Sequence, residues 1–441
     1  MRFLLKGGTL VDPAAGINAQ RDLLIDSGRI ARVGQDLPAD GARVLQVPRG
    51  TVVTPGLIDM HVHLREPGHE HKETVATGAA AAVAGGFTAV ACMPNTDPIN
   101  DHAGITGYIL AKAAEAALAR VYPIGAVSMG SKGEQLTEIG DLRRAGCVAI
   151  SDDGRPVASA LLLRRALEYA GMFDMPVIDH CEDPSLKGDG VAHEGAKSSM
   201  LGLKGLPAVA ETLMVDRGIL LSELTGSRFH VAHISVATAL RAVREAKARG
   251  VRVTCEVAPH HLCLTDDALE GYDTNTKMNP PLRDASDVDA MLSGLADGSI
   301  DVIATDHAPH HADEKALEFD RAPFGIVGLE TAVPLCFDRL VHRDVISLSR
   351  LVELLSVNPA RILKVEGGTL VEGALADITL LAPDLEVRIE AAKLVSKSKN
   401  TPFDGWTLKG AAAATIVGGR VVYLNQAIAW DGAWRTDVSQ G

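Results

Sequence analysis

Paired thiols, aromatic bulk, basic runs and long apolar stretches are all scarce in this chain. Its six cysteines are Cys92, Cys147, Cys181, Cys255, Cys263 and Cys336, and none forms a C-x-x-C pair. That dispersion argues against a zinc ribbon or a disulfide framework and leaves reduced core thiols. Aromatics make up only 4%, so the core must come from Ala, Val, Leu and Ile, with 43 glycines supplying tight turns. No Lys/Arg-rich run stands out and the net charge is −13, so no nucleic-acid partner is expected. The longest charge-free run, residues 74–96, is rich in Ala and Gly and is broken by Gly85-Gly86 and Pro94. A spanning helix needs ~20 strongly apolar residues, so this run reads as a buried helix, a turn and a strand, with no membrane association. Lys6 interrupts the opening segment and no apolar leader is visible, which sets the expectation of a cytoplasmic protein.

What is present has the proportions of a large globular chain. Hydrophobic residues reach 46% and charged residues 22% over 441 positions. Residues 1–55 read as short strands separated by turns: Phe3–Leu5, Thr9–Val11, Asp22–Ile25 and Val44–Val47. The end of the chain is similar, with Asp377–Leu381, Ala414–Val417 and a Gly418-Gly419 turn. Residues 1–55 and 368–441 are therefore expected to form one composite β domain, of β-sandwich-like type, around a middle segment spanning 56–367.

The middle segment alternates short apolar strands with helical patterns. The strand candidates are Leu57–His63, Phe87–Ala91, Val121–Val127, Cys147–Ser151, Pro176–His180, Phe229–His233, Val251–Val257 and Asp301–Asp306. Helical patterns such as Leu161–Ala170, Ala208–Leu221 and Ala237–Arg249 lie between them. Repeated strand–helix units imply an α/β fold with a parallel sheet, and this number suggests a (β/α)8 TIM barrel. A doubly wound open sheet is the alternative; its dinucleotide-binding form would carry a G-x-G-x-x-G after the first strand, which is missing.

Histidines and aspartates gather at the C-terminal ends of these strands. His61 and His63 are two apart, so both project to one face of a strand. Asp152 and Asp153 follow the fourth strand, His180 the fifth, His233 the sixth and Asp306 the eighth. Any one of these alone would read as a hydrogen-bonded structural group. In a barrel, however, those ends converge on one mouth. Imidazoles and carboxylates meeting there suit zinc or a similar divalent ion. Four His and two Asp exceed one tetrahedral site, so two ions sharing a bridging carboxylate fit better. His69, His71, His102, His193, His230 and His342 read as surface or supporting groups.

Four segments carry a family resemblance. Residues 55–68, with His61-Val62-His63-Leu64-Arg65, resemble the first signature of the amidohydrolase superfamily. Met93-Pro94-Asn95-Thr96, Asn279-Pro280-Pro281-Leu282-Arg283 and Ala304-Thr305-Asp306-His307-Ala308-Pro309-His310 narrow the likeness to the class I dihydroorotases. Hydantoinases, allantoinases and many dihydroorotases of that superfamily bridge their metals with a carboxylated lysine on strand 4. Here no Lys occurs between Lys132 and Lys187, and Ser151-Asp152-Asp153-Gly154 stands instead, which resembles the bacterial type with an aspartate bridge. Alignment with that pattern makes Asp153 the bridge and Asp152 its neighbour; the sequence leaves the reverse order open.

The resemblance implies a set of roles. His61, His63, Asp153 and Asp306 would hold one Zn2+, and Asp153, His180 and His233 a second, two per subunit, with a hydroxide between them. Asp306 would serve as the proton-transferring base. His63, Arg65, Asn95, Asn279, His310, Phe324 and Gly325 would bind the substrate. The implied activity is reversible cyclisation of N-carbamoyl-L-aspartate to L-dihydroorotate, a step of pyrimidine biosynthesis. Another cyclic amidase is the enzyme rival, and a non-catalytic partner of aspartate carbamoyltransferase is the rival of a different class. A homodimer, and a complex with aspartate carbamoyltransferase, are the expected assemblies.

Overall fold

The computed structural model describes residues 1–435; residues 436–441 at the end of the expected β domain lie outside the described residues. Eight parallel strands run in the order of the chain: Leu57–Val62, Phe87–Cys92, Arg120–Gly125, Ala149–Ile150, Val177–Asp179, Phe229–Val231, Val253–Val257 and Val302–Ile303. The first and last are joined by a bridge between Val62 and His307 and by the His63 N–H donating to the His307 carbonyl at 2.9 Å. The sheet therefore nearly closes into the expected barrel, and the open doubly wound alternative falls. The strands are short, and His63, His180, His233 and Asp306 sit just beyond their last paired residues.

Two apolar layers hold this barrel. Met60, Ala91, Ile124, Ile178, Ala232 and Val302 fill its interior. A larger layer, including Leu57, Val90, Leu163, Phe229 and Leu240, packs strands against helices. The charge-free run forms the helix Val75–Ala84 and the second strand. Thr74 caps the helix through its side chain, and Gly85 ends it. The helices Ala160–Gly171, Val209–Thr225 and Ala237–Ala248 match the patterned segments.

Strands from both ends of the chain form a second sheet. Val52–Pro55 lies parallel to Arg2–Asp12 on one side and antiparallel to Ile378–Arg388 on the other. One difference from the sequence reading is local. Phe3–Leu5 and Thr9–Val11 belong to one strand, whose register shifts between Leu5 and Gly8. Gly7 takes φ +77 there, so the glycine kinks the strand instead of ending it. Phe3, Leu5, Leu23, Ile25, Ile378, Leu380 and Ile416 make that sheet's core.

Candidate active site

The first barrel strand is buried at every position. A register shift between Asp59 and Val62 interrupts this strand's alternation, and His61 and His63 both reach the barrel mouth. Asp59 accepts from the His61 N–H at 3.1 Å and from the Thr305 hydroxyl at 2.5 Å. One buried carboxylate thus ties the first strand to the turn that carries Asp306. Burial pushes that carboxyl up to about 6 despite the bonds from Thr305 and His61.

Six side chains converge above this floor. His63 Nε2 lies 3.0 Å and His61 Nε2 3.5 Å from Asp306 Oδ1. Asp153 Oδ1 is 3.4 Å from His61 Nε2 and 3.7 Å from both His180 Nδ1 and His233 Nε2. Its other oxygen is 3.4 Å from His63 Nε2. His180 Nδ1 and His233 Nε2 face each other at 2.9 Å. Asp153 therefore stands between two groups, His61/His63/Asp306 and His180/His233. Asp152 turns away: it accepts from the Val127 and Ser128 N–H groups and the Ser128 hydroxyl.

The outer partners of the imidazoles aim their lone pairs inward. His61 Nδ1 lies 2.6 Å from Glu256 Oε1, and a carboxylate only accepts, so Nε2 is left free to face the centre. His63 Nδ1 meets Asn95 Oδ1 at 2.8 Å with the same consequence. His61 Nε2 and Asp153 Oδ1 are buried and have no hydrogen-bond partner. Buried polar atoms are seldom left unpaired. Donor atoms of His61, His63 and Asp306, and of His61, Asp153 and His233, lie within 4.8 Å of one another. This chemistry fits divalent metal binding.

The backbone is strained where it delivers these groups. His233, Asp306 and Arg65 take φ of 30°, 48° and 64°. A non-glycine residue there costs roughly 1–3 kcal/mol, an arrangement that clusters at functional sites.

A cleft of about 320 Å³ opens over the cluster. His63, Arg65, Asn95, Asp153, His180, His233, Asn279, Asp306, His310, Phe324 and Gly325 all line it, while His61 lies beneath, fully buried. Arg65 donates through Nε to the Pro309 carbonyl at 3.1 Å and approaches His310 Nε2 at 3.3 Å. Gly325 takes φ +146, and a Cβ there would sit 2.7 Å from the Ala308 carbonyl oxygen, so the loop's close approach requires glycine. Asn400 stitches this wall together: its amide donates to the Ala308 and Gly325 carbonyls, and its oxygen accepts from the His310 N–H.

Three of these residues escaped the sequence reading: Glu256, Asp59 and Asn400. Glu256 had a signal, since it is the one charge in the apolar strand Val253–Val257. Asn400 had none, lying in an irregular segment far from the barrel strands.

Residues 50–238 match the dihydro-orotase-like family model, and residues 222–423 match an amidohydrolase family model. A dihydroorotase of Pelotomaculum thermopropionicum is 58% identical over 97% of this chain and all of its own length. One from Pelobacter propionicus is 55% identical over 96% of this chain and all of its own. The chain belongs to the dihydroorotase family. It is accordingly an enzyme of the metal-dependent amidohydrolase class. Among solved structures, an L-hydantoinase (dihydropyrimidinase) of Arthrobacter aurescens is similar, with TM-score 0.86 and 25% identity over 96% of both chains.

Proposed function

We propose that this family member interconverts N-carbamoyl-L-aspartate and L-dihydroorotate, a step of pyrimidine synthesis. The observation that carries this reading is a single cleft joining a buried His/Asp cluster to an arginine and two asparagines. His61, His63 and Asp306 would hold one zinc ion, His180 and His233 a second, and Asp153 would bridge them. Ions bound there would lower the pKa of a water toward ~7 and polarise the ring carbonyl.

The chain's own groups supply the remainder. Asp306 Oδ1 lies 3.0 Å from His63 Nε2 and 3.5 Å from His61 Nε2, and an ion held among them would favour its carboxylate form. Asp306 is thus kept ionised to take a proton from the attacking water and pass it to the ring nitrogen. In the opposite direction it takes the ureido proton as the ring closes and returns it to the departing carboxyl oxygen, which leaves as water. Arg65 offers a planar fork to the substrate carboxylate, beside His310 and the amide of Asn95. The Phe324–Gly325 backbone closes the far wall. Ring closure starts from a free carboxylic acid, so it is favoured at lower pH.

We divide the chain into a catalytic barrel at 56–367 and a β domain from 1–55 and 368–441. A cytoplasmic homodimer, and association with aspartate carbamoyltransferase, complete the reading; among the described residues no helix is long and apolar enough to cross a membrane. Competing assays of dihydroorotate, hydantoin and allantoin test the substrate. Dihydroorotate should be hydrolysed at least ~100-fold more efficiently, because only it presents a carboxylate to Arg65. Preferential hydrolysis of hydantoin would overturn the assignment.

A further inference from the structure

The helix Val209–Thr225 is apolar on both sides. Inward it buries Met214, Val215 and Ile219 against the barrel. Outward it carries Val209, Leu213, Leu220 and Leu224, which are between 49% and 64% exposed. At ~100° per residue these four fall within a sector of about 60°. A single exposed leucine is ordinary, but a continuous apolar stripe on a helix of ~25 Å marks a surface that another surface covers. The stripe also reads alike from both ends. Val209 and Leu224 lie equally far from its middle, and so do Leu213 and Leu220. Turned end for end it is complementary to itself, which is the condition for a two-fold interface.

The flanking helices extend this surface. Ala160–Gly171 packs on one side and offers Leu161, which is 63% exposed. Arg217 is turned to that side, donating to the Ala158 carbonyl at 2.8 Å. Ala237–Ala248 packs on the other side in a fixed register. Thr212 Oγ1 meets Thr238 Oγ1 at 2.6 Å, and Glu223 Oε2 meets Arg249 Nη2 at 3.3 Å, both pairs 26 positions apart. The middle of the stripe, between Asp216 and Arg217, therefore stands level with Ala242 and Val243. A two-fold axis there brings Arg241 of each copy to within one position of Glu245 of the other. It also brings Arg241 close to Asp216, which shares the Thr212 side of the stripe. Asp216, Arg241 and Glu245 are all exposed. Opposite charges thus meet beside the apolar stripe in the antiparallel arrangement.

We propose that this helix face is the interface between two copies of the chain, packed antiparallel about a two-fold axis between Asp216 and Arg217. This rests on the homodimer of the reading above and gives it a face and a register, independent of the substrate assigned there. One helix falls short of the ~800 Å² per partner of a stable interface, so both flanking helices join the contact.

The register predicts that Leu213 of one copy faces Leu220 of the other, and a complementation experiment tests it. The full-length wild type, Leu213→Lys and Leu220→Glu are compared by sedimentation velocity, with thermal melting recorded for each. The wild type should be a dimer. Each variant alone sets a charge against a leucine twice and should raise the dimer dissociation constant at least ~100-fold. An equimolar mixture pairs Lys with Glu on one side and Leu with Leu on the other, and should return to within ~10-fold of the wild type. A mixture that stays monomeric overturns the antiparallel register. Single variants that remain dimeric overturn the interface and leave the homodimer itself standing, whereas a monomeric wild type defeats both. Should the leucine variants fail to fold, Arg241→Glu decides: it sets like charges across the axis and should weaken the dimer about tenfold, and an unchanged dissociation constant overturns the proposal.

Discussion

The barrel mouth and the terminal sheet follow opposite rules of construction. The sheet is ordinary: Phe3, Leu5, Leu23, Ile25, Leu380 and Ile416 are nearly or wholly buried and belong to one apolar cluster. The mouth buries His61, Asp59, Asp153, Glu256 and Asp306, and it holds three non-glycine residues at positive φ. One region contributes stability by removing apolar surface from water. The other gives up stability to keep charged donors dry and aimed. Substitutions in the two regions should therefore separate activity from stability.

The largest separation is expected at Asp306. Asp306→Asn should lower kcat by roughly 10³-fold or more while the protein still melts cooperatively near the wild-type temperature. Turnover at a near-native rate would break the assignment of the proton-transferring group. A smaller effect is expected one layer out. Glu256→Gln should weaken metal affinity ~10–100-fold, read by competition with a chelator, because His61 loses the partner that fixes its tautomer.

The sheet should show the reverse pattern. Leu380→Ala removes a fully buried side chain and should cost ~2–5 kcal/mol of stability. At temperatures where it stays folded, its kcat/KM should remain within about twofold of wild type. A large loss of kcat/KM in the folded variant would show that sheet and site are coupled.

The smallest expected effect lies under the cleft wall. Lys315 donates to the Pro323 and Gly325 carbonyls, and burial, aided by the charge of Lys277, pulls its pKa down to about 7. Its ordinary value is ~10.4. Between those values the unfolded chain binds more protons than the native one, so this group makes stability rise with pH from about 7 to ~10. Thermal melts of Lys315→Met should show a flatter pH dependence across that window. An unchanged slope would show that Lys315 is charged in the native protein.

The comparison also explains what could be read from the sequence. Short apolar strands ending in His or Asp are local patterns, and His61, His63, His180, His233 and Asp306 were legible for that reason. The Val253–Val257 strand was legible too, but the inward role of its Glu256 depends on His61, far away in sequence. The resemblance favoured Asp153 over Asp152, and the fold adds that Asp152 turns away to the Val127 and Ser128 backbone. Asn400 joins two loops across some 90 and 75 positions, and no local pattern encodes that. In the terminal sheet, the split expected within Arg2–Asp12 failed because Gly7 makes a bulge without ending the strand.

The central claim is that the buried His/Asp cluster holds two divalent ions that are needed to open and close a cyclic ureide. Metal content per chain, titrated from the chelated protein with zinc and read alongside dihydroorotate turnover, tests it most directly. Activity should be absent in the chelated protein, rise with loading and level off at about two ions per chain. Full turnover by metal-free protein would contradict the claim.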